Sequence, residues 1–134
     1  MILRPNLFVI GASKCGTTFM HDILDVSNEI VMSNPKEPMF FLDKNDDREL
    51  EQRYQSIFPG RESKVEVKYL GESSPIYSET TQFSWIPSDI HRFSPDAKII
   101  YMVRNPVERL LSAIKQIDSS GHFSEQKYYT VMPD

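Results

Sequence analysis

Leu7-Phe8-Val9-Ile10-Gly11-Ala12-Ser13-Lys14-Cys15-Gly16-Thr17-Thr18 sets the frame for the whole chain. An apolar, β-branched run ends in glycine, and a short polar loop carrying a lysine follows. A second glycine and two threonines then open a helix that the periodicity carries from Thr17 to about Val26. Strand, glycine-edged loop and helix together form a cradle for an anion. Backbone N–H groups of the loop and the helix N-terminus point at the same spot. Glycine at the two bends lets the backbone approach a ligand closely.

The glycines are spaced as in the nucleotide-binding pattern G-x-x-x-x-G, but the lysine that should follow the second glycine is missing. Thr17 stands there, and the lysine sits on the crown of the loop at position 14. The site residues read from this stretch are Ser13, Lys14, Cys15, Gly16, Thr17 and Thr18. The plainer reading is a surface lysine in a glycine turn.

Outward from the loop, 134 residues suggest one domain, 1–134. Hydrophobic content of 40% and charged content of 25% are those of an ordinary globular protein. A net charge of −4 argues against a nucleic-acid binder that works by neutralising phosphates, so any anion site must be local. One cysteine, Cys15, rules out an internal disulfide. Its place at a helix start would stabilise a thiolate, but no histidine is near in sequence, and a small filler is the simpler role. No apolar run is long enough to span a bilayer or to act as a signal segment, so the expected location is cytoplasmic.

Along the chain, Glu29–Met32 reads as a second strand. Pro35-Lys36-Glu37-Pro38 follows, where Pro38 holds Glu37 extended just past the strand's carboxyl end. A helix is expected from Asp47 to Phe58, where Pro59-Gly60 stops it. A third strand over Val65–Glu72 ends in Ser73-Ser74-Pro75. Tyr77–Phe93 reads as helix with a break at Ile86-Pro87. Ala97–Val103 is continuous, apolar and β-branched, as a buried parallel strand should be. Arg104-Asn105-Pro106 closes it and starts a helix running to about Asp118. The expected architecture is α/β: a P-loop-type, three-layer fold with a central parallel sheet flanked by helices.

In a parallel sheet the strand ends share one edge, and that edge binds ligands. Lys14, Glu37 and Arg104 all lie there. Arg104 offers a fork of donors to a phosphate, with Ser112 two turns into the next helix. Glu37 can take a proton from a substrate hydroxyl. Taken singly, Glu37 could be an exposed loop residue and Arg104 a salt-bridging one.

Taken together, the motifs resemble the sulfotransferases, in particular the heparan-sulfate-type and related bacterial members. Pro5–Thr18 looks like their 5′-phosphosulfate loop, and Lys36-Glu37-Pro38-Met39-Phe40-Phe41 like their substrate-side glutamate motif. Gly71-Glu72-Ser73-Ser74-Pro75-Ile76-Tyr77 is similar to their third-strand motif, and Val103–Ser112 to their 3′-phosphate motif. The four occur in family order over about residues 5–118. The resemblance implies transfer of a sulfuryl group from 3′-phosphoadenosine 5′-phosphosulfate (PAPS) to a hydroxyl or amine acceptor, a glycan being one case, with no metal. Lys14 would stabilise the leaving phosphate and Glu37 would be the general base. Gly16, Thr17 and Thr18 would hold the 5′-phosphate, and Arg104 and Ser112 the 3′-phosphate.

Two departures stand out. Ser73 occupies a position where the family often has lysine. Family domains also run well beyond this length, so the expectation is a domain shortened at its C-terminal end. The alternatives are a non-catalytic module that binds PAPS or its desulfated product, and a P-loop kinase or NTPase. The kinase would need a lysine after Gly16 and a strand-end aspartate for Mg²⁺. The acceptor and the oligomeric state are not legible.

Overall fold

The computed structural model describes residues 4–64 and 66–119. They divide into two compact units, Met1–Val103 and Arg104–Asp134.

The first unit is built on a four-stranded parallel sheet of β1 (Leu7–Gly11), β2 (Ile30–Met32), β3 (Tyr69–Ser73) and β4 (Lys98–Tyr101), in spatial order β2-β3-β1-β4. Alternation along β1 sorts the layers, because successive side chains point to opposite faces. Leu7 and Val9 face one side, where they pack with Met32, Met20 and Leu24, the last two from α1 (Thr17–Val26). Phe8 faces the other, into a larger core with Leu50 and Tyr54 of α2 (Asp47–Tyr54) and Ile86, Ile90 and Phe93 of α3 (Ile86–Phe93). Phe41 lies at the centre of that core, edge-on to Phe8, Tyr77 and Phe93. Each such ring removed from water contributes about 1.5–3 kcal/mol.

Several elements differ from the sequence reading. β3 begins at Tyr69, and residues 66–68 are not strand; Val65 lies outside the described residues. The partner strand is the cause: β2 has three residues, and its pairing starts at Ile30 opposite Tyr69. α2 stops at Tyr54, not Phe58. The chain leaves the helix there so that Ile57 and Phe58 can enter the core, and the Ile57 carbonyl accepts the Asn34 N–H at 2.7 Å. The expected helix over Tyr77–Phe93 is a 3₁₀ turn at Pro75–Ser78, then turns, then α3. Pro87 sits in the first turn of α3; a proline can start a helix but lacks the N–H to continue one.

β4 is the fourth correction. Among the described residues it pairs only with β1, at the end of the strand order, and Lys98, Ile99 and Tyr101 are exposed. A continuous apolar run cannot by itself separate a central strand from an outer one.

The second unit holds α4 (Pro106–Ser119). Asn105 starts it, its side-chain oxygen accepting the N–H groups of Val107 (3.0 Å) and Glu108 (3.4 Å).

Candidate functional site

The loop after β1 is held from both sides. Ala12 N–H donates to the Met102 carbonyl and Met102 N–H to the Gly11 carbonyl, at 2.9 and 2.8 Å. Gly11 has φ +154°, and a Cβ there would stand 2.5 Å from Ser78 Oγ and 3.0 Å from the Tyr101 ring. The first glycine of the motif is therefore required by packing as well as by its bend. Lys14 follows at φ 65° on the crown, and Gly16 at φ 85° ends the loop in the left-handed region.

Gly16 is also the N-cap of α1, so no side chain caps this helix. α2 makes the contrast: Asp46 and Glu49 form a complete capping box that occupies its first N–H groups. The first turn of α1 is built without such a cap, which suits an anion. Of the residues singled out in this loop, Ser13 and Lys14 are half-buried and Gly16 and Thr18 exposed. Thr17 and Cys15 are each 6% exposed. The Cys15 thiol reaches the Ser13 carbonyl at 3.8 Å, as a filler inside the turn. The geometry thus fits a phosphate-bearing ligand.

Glu37 lies on the segment that follows β2, and that segment hangs from the carboxyl end of β3. Ser73 N–H donates to the Lys36 carbonyl (3.2 Å), Met39 N–H to Ser74 Oγ (3.3 Å) and Phe41 N–H to the Tyr77 hydroxyl (3.3 Å). Ser74 N–H in turn donates to the Val9 carbonyl of β1 (3.1 Å). The loop after β1 and the segment carrying Glu37 therefore leave the same sheet edge, with β3 between them. Lys36 Nζ pairs with Glu37 Oε1 at 2.5 Å.

The hydroxyl residues that follow β3 are thus positioning groups, and the sequence marked only their place in an edge loop. His21 was missed altogether. It sits on α1, 8% exposed, with its Nδ1 2.9 Å from Ser73 Oγ. Burial lowers its pKa below the ordinary 6.5, with Asp22 pulling the other way. The one signal is a histidine set among Met20, Ile23 and Leu24 on the apolar side of this helix.

The sequence places Glu72 at the end of the third strand and gives it no role of its own. It is fully buried beside Tyr54 and Tyr77, and burial raises its pKa to about 8 while the two hydroxyls partly offset that. Neither carboxyl oxygen has a partner at hydrogen-bonding geometry among the described residues.

Arg104 and Ser112 belong to the second unit. Arg104 Nε pairs with Glu108 Oε2 at 3.2 Å, one helical turn on, and Ser112 is half-buried on α4. Among the described residues no cluster of three or more His, Cys, Asp or Glu could hold a metal ion, and no helix is long and apolar enough to cross a membrane.

A family model described as the sulfotransferase domain matches residues 4–134. The chain is 29% identical to carbohydrate sulfotransferase 15 of Mus musculus, over 87% of its own length and 28% of that protein's. It is 33% identical to heparan sulfate glucosamine 3-O-sulfotransferase 6 of Homo sapiens, over 84% and 30% respectively. Among solved structures, the crystal structure of a sulfotransferase from Alicyclobacillus acidocaldarius superposes with a TM-score of 0.70 at 24% identity, covering 90% of this chain and 52% of that one. The structural likeness supports the fold. The chain spans less than a third of the length of these two relatives.

Proposed function

The chain belongs to the sulfotransferase domain family, and on that premise we propose that it binds PAPS and moves its sulfuryl group to a hydroxyl or amine acceptor of carbohydrate type. The observation that carries the reading is the uncapped start of α1 behind a glycine-edged loop with Lys14 on its crown.

In this reading Gly16, Thr17 and Thr18 hold the 5′-phosphate with N–H and hydroxyl donors, and Lys14 offsets the charge that gathers on that phosphate as its bond to sulfur breaks. Glu37 takes the acceptor proton while the acceptor oxygen or nitrogen bonds to sulfur. Lys36, paired with Glu37, orients that carboxylate. Arg104 and Ser112 take the 3′-phosphate. A cytoplasmic location belongs to the same proposal, and cell fractionation checks it.

Calorimetry with adenosine 3′,5′-bisphosphate, ATP and 5′-AMP tests the donor site. The bisphosphate should bind well ahead of the other two; equal affinities for all three would overturn the proposal. Arg104→Ala should reduce affinity for the bisphosphate far more than for 5′-AMP, because a charge-assisted phosphate contact of about 1.5–3 kcal/mol is lost from one ligand only. An unchanged ratio would remove Arg104 from the site.

Glu37→Gln tests the acceptor side. Turnover should fall by roughly 10²–10⁴-fold, the usual contribution of a positioned base, with bisphosphate affinity retained. Unimpaired turnover would exclude Glu37 as the base.

A further inference from the structure

A cavity of about 530 Å³ with a mixed polar and apolar lining adjoins the anion loop. That size lies within the range of about 300–1,000 Å³ usual for small-molecule sites. Thr18, His21 and Asp22 of α1 line one wall, and Ser33, Asn34 and Lys36 of the segment after β2 line the other. Thr18 is the last residue of the loop proposed to hold the donor. Lys36 is bonded to Glu37, the proposed base. The cavity is thus bordered by one residue of the donor loop and by the lysine paired with the proposed base, and its seat for the acceptor rests on the function proposed above.

The charges around this cavity restrict what it can receive. Lys36 is spent in its ion pair with Glu37. Asp25, also on the cavity wall, accepts the Met32 N–H at 2.9 Å and faces Lys64 Nζ at 3.6 Å. Lys64 itself donates to the carbonyls of Asp25, Ser27 and Ile30 at 2.5–2.9 Å. Burial favours the neutral form of the His21 ring, which is engaged with Ser73. What remains is the exposed carboxylate of Asp22. Lys36 at the wall and Lys64 behind Asp25 are both engaged, so the surplus charge at the wall is negative.

A glycan carrying uronates or sulfates needs surplus cations where it lies, and like charges facing each other oppose binding. Sugar hydroxyls need donors and acceptors, which Thr18 and Asn34 supply. Met32 and Pro59 add an apolar strip for the C–H face of a sugar ring.

We infer that this cavity is the acceptor seat and that it takes a hydroxylated acceptor without anionic groups, an uncharged or amine-bearing sugar, and turns away polyanionic chains.

The test uses the full chain saturated with adenosine 3′,5′-bisphosphate, titrated at pH 6.5 with three probes. These are the N-acetylglucosamine trimer, the glucosamine trimer and an unsulfated, uronate-bearing oligosaccharide of similar length. The two trimers should bind and the uronate chain should not. Asp22→Asn should weaken the glucosamine trimer roughly threefold, the scale of one exposed ion pair, and leave the uncharged trimer as it was. Asp22→Lys should let the uronate chain bind. Asp22 is exposed on a helix surface, so both variants keep the fold, which circular dichroism checks.

Wild-type preference for the uronate chain, binding of no trimer, or indifference of the glucosamine trimer to Asp22→Asn would each overturn the inference. Failure to bind the bisphosphate would instead strike the function proposed above, so the two failures are told apart.

Discussion

Lys14→Ala should lower sulfuryl transfer by roughly 10²–10³-fold, the usual loss when one preorganised charge stabiliser is removed from a transition state. The lysine sits at φ 65°, where any residue with a Cβ pays the same conformational cost. Alanine therefore removes the ammonium without changing the backbone preference of the loop, and thermal stability should stay within about 0.5 kcal/mol of wild type. Affinity for adenosine 3′,5′-bisphosphate should fall much less than turnover, because the charge that Lys14 meets is greatest as the phosphate leaves. The measurement is single-turnover transfer from labelled PAPS beside calorimetry on the bisphosphate. Equal losses in both would make Lys14 a ground-state binding group, and no loss in either would take it out of the site.

Glu72→Gln should remove the loss of stability that Glu72 brings as pH rises. The Glu72 carboxyl has a folded-state pKa of about 8 against an ordinary 4.5, because burial beside Tyr54 and Tyr77, opposite Phe8 in the sheet, penalises its charged form. The folded protein therefore holds a proton that the unfolded chain has lost between those two values. Its stabilising effect is complete below pH 4.5 and is lost as pH rises toward 8, at about 1.4 kcal/mol per pH unit while the two states differ by a whole proton. The full span is on the order of 5 kcal/mol.

Glutamine matches the neutral acid in shape and cannot ionise. The variant should match wild type in urea midpoint near pH 5 and exceed it increasingly up to pH 8. His21 acts with the opposite sign, since its lowered pKa costs stability as pH falls below 6.5. It is common to both proteins and cancels in the comparison. Parallel pH profiles would show that Glu72 is ionised inside the core. The consequence reaches the site, because Tyr77, beside Glu72, also accepts the Phe41 N–H and so holds the end of the segment that carries Glu37.

The order of elements in the first unit was legible because each carries its own local signal. α1 runs over Thr17–Val26, where the 3.6-residue apolar period placed it, and the anion loop follows from two glycines whose bends no other residue makes cheaply. Element ends were less legible wherever a partner decides them. β3 is as short as its pairing with β2 allows, and α2 ends where Ile57 and Phe58 turn inward. The burial expected of β4 failed for the same reason, since its place in the strand order is a property of the sheet and not of the strand.

By itself, the sequence determined the strand-loop-helix cradle, the parallel α/β class and the family, because all three rest on residues close together in the chain whose conformational preferences are local. Only the tertiary structure decided that Ser73, Ser74 and Tyr77 suspend the Glu37 segment, that His21 meets Ser73 across 52 residues, and that Glu72 is buried among aromatic rings. Those facts depend on which side of a strand a residue faces and on what lies opposite. Burial then acts on each group through desolvation, which no local pattern of residue types records.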